Sequence, residues 1–182
     1  MDGHDDLQDI VDAARAGDVD AQAQLFDRYH VAVYRYAFAR LRSAPDAEDV
    51  AAETFVSALQ AMPRYRWRGI PFEAWLFRIA RSKVVDAIRR RSRAARVHVR
   101  VDDLEIATSD DDPHTAAAAA ERQAGLARAL DRLPDAQRDV VVLRFLLGGS
   151  IRDTAAALGR TEGAVKQLQL RALANLRREV DR

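Results

Sequence analysis

"SIRDTAAALGRTEGAVKQLQLRALANLRR", Ser150 to Arg178, decides the fold of the C-terminal part of the chain. Ala155 is small where two helices would cross closely. Gly159, four residues on, suits a left-handed turn, and Val165, six further, anchors a second helix to the first. Leu158 and Leu168 complete a small core. Ser150 with Asp153 resembles a capping box, with Asp in place of the usual Glu, and Thr161 can cap the second helix. These features are the grammar of a helix-turn-helix. At about 100° per residue, Val165, Leu168, Ala172 and Leu176 fall on one side, and Gly163, Lys166, Gln167, Leu170, Arg171 and Arg178 on the other. That outer set, with Arg160 and Thr161 at its head, suits a DNA major groove. Lys or Arg can bond guanine, Gln can pair with adenine, and Leu170 can meet a thymine methyl. Gln169 points inward. A helical pair with a solvated basic face is the plain alternative, and a lone helix-turn-helix leaves repressors and activators both open.

Outward from this segment, nearly everything reads as helix. Gly and Pro are few, and apolar residues recur at helical rather than alternating spacing. The pattern predicts helices over Leu7–Ala16, Asp20–Leu41, Asp46–Ala61 and Pro71 to about Arg93, then Glu121–Arg132, Pro134–Leu147, Ile151–Leu158 and Thr161 to about Val180. Met62-Pro63 stops the third, and 64–70 is a loop. Residues 96–113 are largely acidic with no helical stripe, a linker extended by self-repulsion. The expected architecture is all-α: an acidic N-terminal segment (1–19), a helical domain (20–95), an acidic linker (96–120) and a second helical domain (121–182) carrying the helix-turn-helix.

Charge is segregated although the chain of 182 residues carries only +1 overall. The first twenty residues hold seven acids and one base, and 101–113 hold six acids and no base. Between them, Arg64 to Arg100 carry twelve Lys/Arg against Glu73 and Asp86, a net +10 that a polyanion would seek. The basic block includes "PFEAWLFRIARSKVVDAIRRR", Pro71 to Arg91. There Leu76, Phe77, Ala80, Val84, Ala87 and Ile88 form a buried arc, while Trp75, Arg78, Ser82, Asp86 and Arg89 form a separate stripe. Upstream, "RYRWRG" alternates arginines, among them Arg66 and Arg68, with Tyr65 and Trp67. Rings flanked by cations suit single-stranded or locally opened nucleic acid, whose bases stack while Arg holds phosphates. Core packing is the competing reading of Trp75.

Without cysteine there is no disulfide, thiolate metal site or thiol catalysis. No apolar run approaches the roughly 18 residues that span a bilayer, and the acidic start is unlike a secretory signal. The expectation is a cytoplasmic protein with no membrane insertion. The four histidines are scattered, with no triad, metal-ligand spacing or phosphate loop, so neither enzyme chemistry, a metal nor a cofactor is expected.

Three stretches taken together, "DAEDVAAETFVSAL" (46–59), "FEAWLFRIARSKVVDAIRRR" (72–91) and "LPDAQRDVVVLRFLLGGSIRDTAAALGRTEGAVKQLQLRAL" (133–173), resemble bacterial sigma factors of the extracytoplasmic function group. The resemblance implies two working domains, regions 2 and 4, and core RNA polymerase as partner. The 46–59 helix is similar to the one that docks on the clamp coiled coil of the beta-prime subunit, with Asp46, Asp49, Val50, Glu53 and Phe55 as contact candidates; region 4 would meet the beta flap. The loop at Arg66, Trp67 and Arg68 and the following helix, with Trp75, Arg78, Ser82 and Arg89, would read and melt the minus-10 element of promoter DNA, at a few kcal/mol of unstacking per flipped base. Ser82 stands where the family often has Asn. The helix-turn-helix would read the minus-35 element as duplex through Arg160, Thr161, Gly163, Lys166, Gln167, Leu170 and Arg171. The resemblance also implies an anti-sigma factor. The competing class is a stand-alone helix-turn-helix regulator, which would need a receiver or ligand-binding domain that the N-terminal half does not resemble.

Overall fold

The computed structural model describes residues 3–66, 70–95, 125 and 128–180, so Trp67, Arg68 and the acidic linker lie outside the described residues. The N-terminal bundle comprises α1 (Gly3–Ala16), α2 (Val19–Leu41), α3 (Ala44–Ala61) and α4 (Phe72–Ala95), with a 3-10 turn at Met62–Arg64. The starts of α2 and α3 have local causes. The Asp18 carboxylate accepts the Ala21 N–H at 2.9 Å, capping α2. Ser43 Oγ accepts the Asp46 N–H at 3.4 Å, and proline occupies the first turn of α3, where its missing N–H costs nothing. Between them Arg42 takes a left-handed φ of 56° and its N–H returns to Phe38 O at 2.9 Å, so the chain reverses in two residues and α2 and α3 pack side by side.

Helix α4 lies across both, driving Phe72, Leu76, Phe77, Ala80 and Val84 into a core with Val33, Tyr36, Val50, Ala51 and Ala58. Those five residues of α4 are the spacing an amphipathic helix requires. Tyr65 folds back over this core, donating its hydroxyl to Ile70 O at 3.0 Å, and its ring meets Phe72 edge-on at 5.9 Å.

The C-terminal module comprises α5 (Asp135–Val141), a π-helical turn (Val142–Leu146), α6 (Ile151–Leu158) and α7 (Glu162–Val180). The periodicity predicts one helix from Pro134 to Leu147; instead it widens halfway. The Leu147 N–H reaches back five residues to Val142 O at 3.1 Å, and the Gly149 N–H bonds Leu143 O at 2.9 Å. Glycine is needed at that return, because a Cβ on Gly149 would sit 2.9 Å from Leu143 O.

The two domains are not held apart. Val140, Val142, Leu143, Ala155, Ala157, Leu158 and Val165 belong to the same apolar core as the N-terminal bundle, while Leu130, Leu133, Val141 and Ala172 form a separate small cluster packed by Leu176. Helix α6 lies along α4. Beside this apolar contact sits a buried charge cluster. Asp139 of α5, 2% exposed, receives the Tyr36 hydroxyl at 2.9 Å and Arg81 Nε at 2.9 Å. Arg40 Nε stands 3.0 Å from Asp139 Oδ1 off the hydrogen-bond axis, an ion pair, and its Nη2 donates to Asp135 at 2.8 Å. Nothing in the spacing of the sequence foretells this closure, because the hydrogen-bonded partners are 58 to 103 residues apart.

Leu76→Ala removes a fully buried side chain at the crossing of α4 with its neighbours. It should lower the unfolding free energy by about 2–5 kcal/mol in a urea titration, while Ala174→Lys, at an exposed position of α7, should move the midpoint little.

Candidate nucleic-acid interface

Three local hydrogen-bond patterns set the direction of α7. Ser150 Oγ accepts the Asp153 N–H at 3.0 Å and so starts α6. Gly159 ends it at φ 62°; the Arg160 N–H returns to Ala155 O at 2.9 Å and the Gly159 N–H to Ala156 O at 3.3 Å, a Schellman closure that needs the left-handed residue. Thr161 Oγ1 then accepts the Ala164 N–H at 3.2 Å, and α7 begins in a new direction. Val165 is fully buried against Ala155 and Leu158, so the face of α7 is fixed by the small core the spacing predicts.

With that face pinned, Arg160, Thr161, Gly163, Lys166, Gln167, Leu170 and Arg171 are all exposed, Leu170 at 61%. Among the described residues, none of Arg160, Lys166 and Arg171 makes an ion pair, so two cations and an amide stand uncommitted on one side of α7, with a third cation in the turn just before it. Gln169 turns inward and accepts Arg144 Nε at 3.2 Å, as its position on the wheel requires. Leu173, 42% exposed, extends the apolar spot of Leu170 and lies outside the set that the wheel singles out.

On the N-terminal bundle the charged side of α4 leaves Arg78, Ser82 and Arg89 exposed to differing degrees, with Arg89 3.9 Å from Asp86. Trp75 is different. Its ring lies 4.8 Å from Tyr65 and 5.5 Å from Phe72, half-buried against the core, so the stripe on which periodicity places it is at this point a packed aromatic corner. Arg66 is exposed, and its Nη1 donates to Pro63 O at 3.0 Å and Tyr65 O at 3.1 Å, stiffening the loop entrance. Burial raises the Tyr65 phenol to about 12, so it is a neutral donor at physiological pH.

The α3 candidates divide. Asp49 is exposed and Asp46 partly so, but Val50 is in the core and Phe55 is nearly covered. Glu53 is engaged with Arg90 at 3.3 Å and Lys83 at 3.9 Å of α4. Beside Asp49, apolar side chains also face solvent: Phe26 at 41%, whose ring meets Phe55 at 4.8 Å, together with Val56 at 54% and Leu59 at 40%. Phe26 sits on a separate helix, so only the packing of α2 on α3 reveals the patch.

The sigma-70 region 2 family matches residues 25–94 and the sigma-70 region 4 family residues 129–178. The chain belongs to the sigma-70 family. The ECF RNA polymerase sigma factor SigD of Mycobacterium tuberculosis is 38% identical over 178 residues, covering 96% of this chain and 84% of that protein. The ECF RNA polymerase sigma factor BldN of Streptomyces coelicolor is 36% identical over 175 residues, covering 94% of this chain, which spans 65% of BldN. Among solved structures, CnrH in complex with the cytosolic domain of CnrY is 30% identical with a TM-score of 0.72, covering 94% of this chain and 95% of that one. Sigma factor RpoE of Bartonella quintana, solved with the anti-sigma factor NepR, shares the fold at 23% identity and a TM-score of 0.69, covering 87% of this chain and 96% of that one. The exposed face of α7 is therefore the outer face of region 4 in a sigma factor, and α4 is the basic helix of region 2.

Lys166→Ala and Arg171→Ala should each weaken promoter binding by about 1–3 kcal/mol at particular upstream base pairs and leave the melting temperature unchanged. Gel shifts over a set of single-base promoter variants check this; a uniform loss across all variants would make the two residues phosphate contacts.

Proposed function

We propose that this alternative sigma factor binds core RNA polymerase and directs it to promoters, with region 4 reading the minus-35 element as duplex and region 2 reading and melting the minus-10 element. The observation that carries the reading is the uncommitted face of Lys166, Gln167, Leu170 and Arg171 on a rigidly held α7. Lys166 and Arg171 have the chemistry to bond guanine edges, Gln167 to pair with adenine and Leu170 to pack on a thymine methyl. In region 2, Arg78, Ser82 and Arg89 line the charged side of α4, and Arg66, Trp67 and Arg68 precede it. Bond formation belongs to the polymerase; this subunit contributes recognition and strand opening in the cytoplasm.

The polymerase contact on region 2 is assigned to Asp46, Asp49, Phe26, Val56 and Leu59, a mixed acidic and apolar surface suited to a coiled coil. Phe145 and Leu146, exposed in the π-helical turn, offer region 4 an apolar surface for the beta flap. An anti-sigma factor completes the partners: CnrH was solved with a cytosolic protein domain and RpoE with an anti-sigma factor.

Dependence on core enzyme is the test. The purified chain should bind duplex promoter weakly, co-purify with core polymerase, and open a start site only in its presence. Tight, core-independent binding and repression would instead support the stand-alone regulator. Within the holoenzyme, Trp67→Ala should spare duplex binding and slow opening, followed by permanganate reactivity of unpaired thymines; equal loss of both would remove Trp67 from the melting step.

A further inference from the structure

The face that α7 offers to bases depends on how that helix is rolled about its own axis. Its inward stripe has two apolar footholds. Val165 and Leu168 pack with the shared core, and Ala172 and Leu176 with the small cluster of Leu130, Leu133 and Val141. Apolar burial is non-directional, so it holds a helix down without fixing its rotation to a few degrees. Rotation matters for reading bases. At the roughly 5–6 Å radius of a helix with its side chains, a roll of about 10° carries a side-chain tip on the order of 1 Å. A hydrogen bond to a base edge tolerates only about 2.7–3.2 Å between heavy atoms.

Between the two footholds a polar residue interrupts the apolar stripe. Gln169 is half-buried, and its Oε1 accepts Arg144 Nε at 3.2 Å. The same guanidinium donates through Nη1 to Gly149 O. Gly149 is itself fixed, since its N–H bonds Leu143 O at 2.9 Å and Leu143 is buried in the core. One side chain therefore ties the π-helical turn, the entry to α6 and the middle of α7. Among the described residues Arg144 makes no ion pair, so these donors go to neutral oxygens rather than to a carboxylate. The far half of α7 has a separate directional tie, Asn175 Nδ2 to Gln137 Oε1 at 2.9 Å. Lys166, Gln167, Leu170 and Arg171, all exposed, lie within three residues of Gln169 and farther along the chain from Asn175.

We infer that Arg144 and Gln169 are positioning residues for minus-35 reading: their hydrogen bond sets the roll of α7, and with it the alignment of Lys166, Gln167 and Arg171 on the base edges. The pair acts through its neighbours and supplies discrimination between sequences rather than affinity for DNA in general. This inference rests on the promoter reading proposed above.

The bond itself is read from the Arg144 Nε–H signal in nitrogen-15 spectra of the full free chain. That proton should exchange slowly with water and lose its protection in Gln169→Met. The consequence is read in the holoenzyme, by competition among duplex promoters carrying single-base changes in the upstream element. Gln169→Met, similar in length but without the acceptor oxygen, should cut discrimination at the affected base pairs by about fivefold or more. The urea midpoint, the affinity for unrelated duplex and the salt dependence should stay as in the wild type. Gln169→Glu keeps an oxygen for the same donor and should keep the wild-type ratio. Arg144→Lys should match Gln169→Met, and the two together should be no worse than either alone, as for residues acting through one contact. Circular dichroism identifies a variant that fails to fold; if Arg144→Lys does, the Met and Glu variants at position 169 decide. Full discrimination in folded Gln169→Met, or an Arg144 signal unchanged by that substitution, overturns the positioning role. So does a uniform loss across all sequences in Arg144→Lys with a salt slope smaller by about one, the mark of a phosphate contact. No upstream base preference in the wild-type holoenzyme overturns the minus-35 assignment and the positioning role with it, whereas a preference that survives Gln169→Met overturns the positioning role alone.

Discussion

A carboxylate buried between two domains is the constraint on which the closed molecule depends. Taking Asp139 out of water costs several kcal/mol, recovered only if charges and donors meet it in good geometry. Arg81 Nε and the Tyr36 hydroxyl, each donating at 2.9 Å, provide that geometry, and the Arg40 guanidinium, its Nε 3.0 Å away, adds charge without a hydrogen bond. Such a cluster adds little net stability over an apolar substitute, but it is demanding about position: any sliding of α5 across α2 and α4 strands an ion. The apolar core to which Ala74 and Phe77 of one domain and Leu143 and Ala157 of the other belong supplies adhesion, and the ion cluster supplies register.

The same division runs through region 4 itself. Its identity as a helix-turn-helix comes from a few small or left-handed positions and one anchor, Ala155, Gly159 and Val165, which fix where α7 points. Its proposed capacity to recognise DNA rests on residues that do nothing for the fold. Because Val165 and Ala172 pin one face, Lys166, Gln167 and Arg171 are presented without depending on their own contacts. Specificity can therefore change on that face while the scaffold stays fixed.

Much of this is legible in the amino-acid order. Helix spans rest on local periodicity and capping, so α1 to α4, α6 and the outer face of α7 follow from the chain within a few residues. Trp75 is ambiguous there because a wheel gives angle but not depth, and Tyr65, arriving from a loop, covers the ring. The apolar patch of Phe26, Val56 and Leu59 is invisible in the sequence because it is composed from two helices. The closed arrangement is illegible for the same reason at longer range: Asp139 and Arg40 look like ordinary surface charges until α5 is laid against α2. Local rules see neighbours along the chain; depth and partnership across elements belong to tertiary structure.

The widened turn at Val142–Leu146 makes chain length there as consequential as chemistry. It holds Leu143 in the shared core while Phe145 and Leu146 look outward, and it delivers Gly149 to its tight return on Leu143. Each residue of an α-helix advances about 100°, so losing a single codon in this stretch would swing everything downstream by over a quarter of a revolution. In this segment an insertion or a deletion is therefore more disruptive than most substitutions.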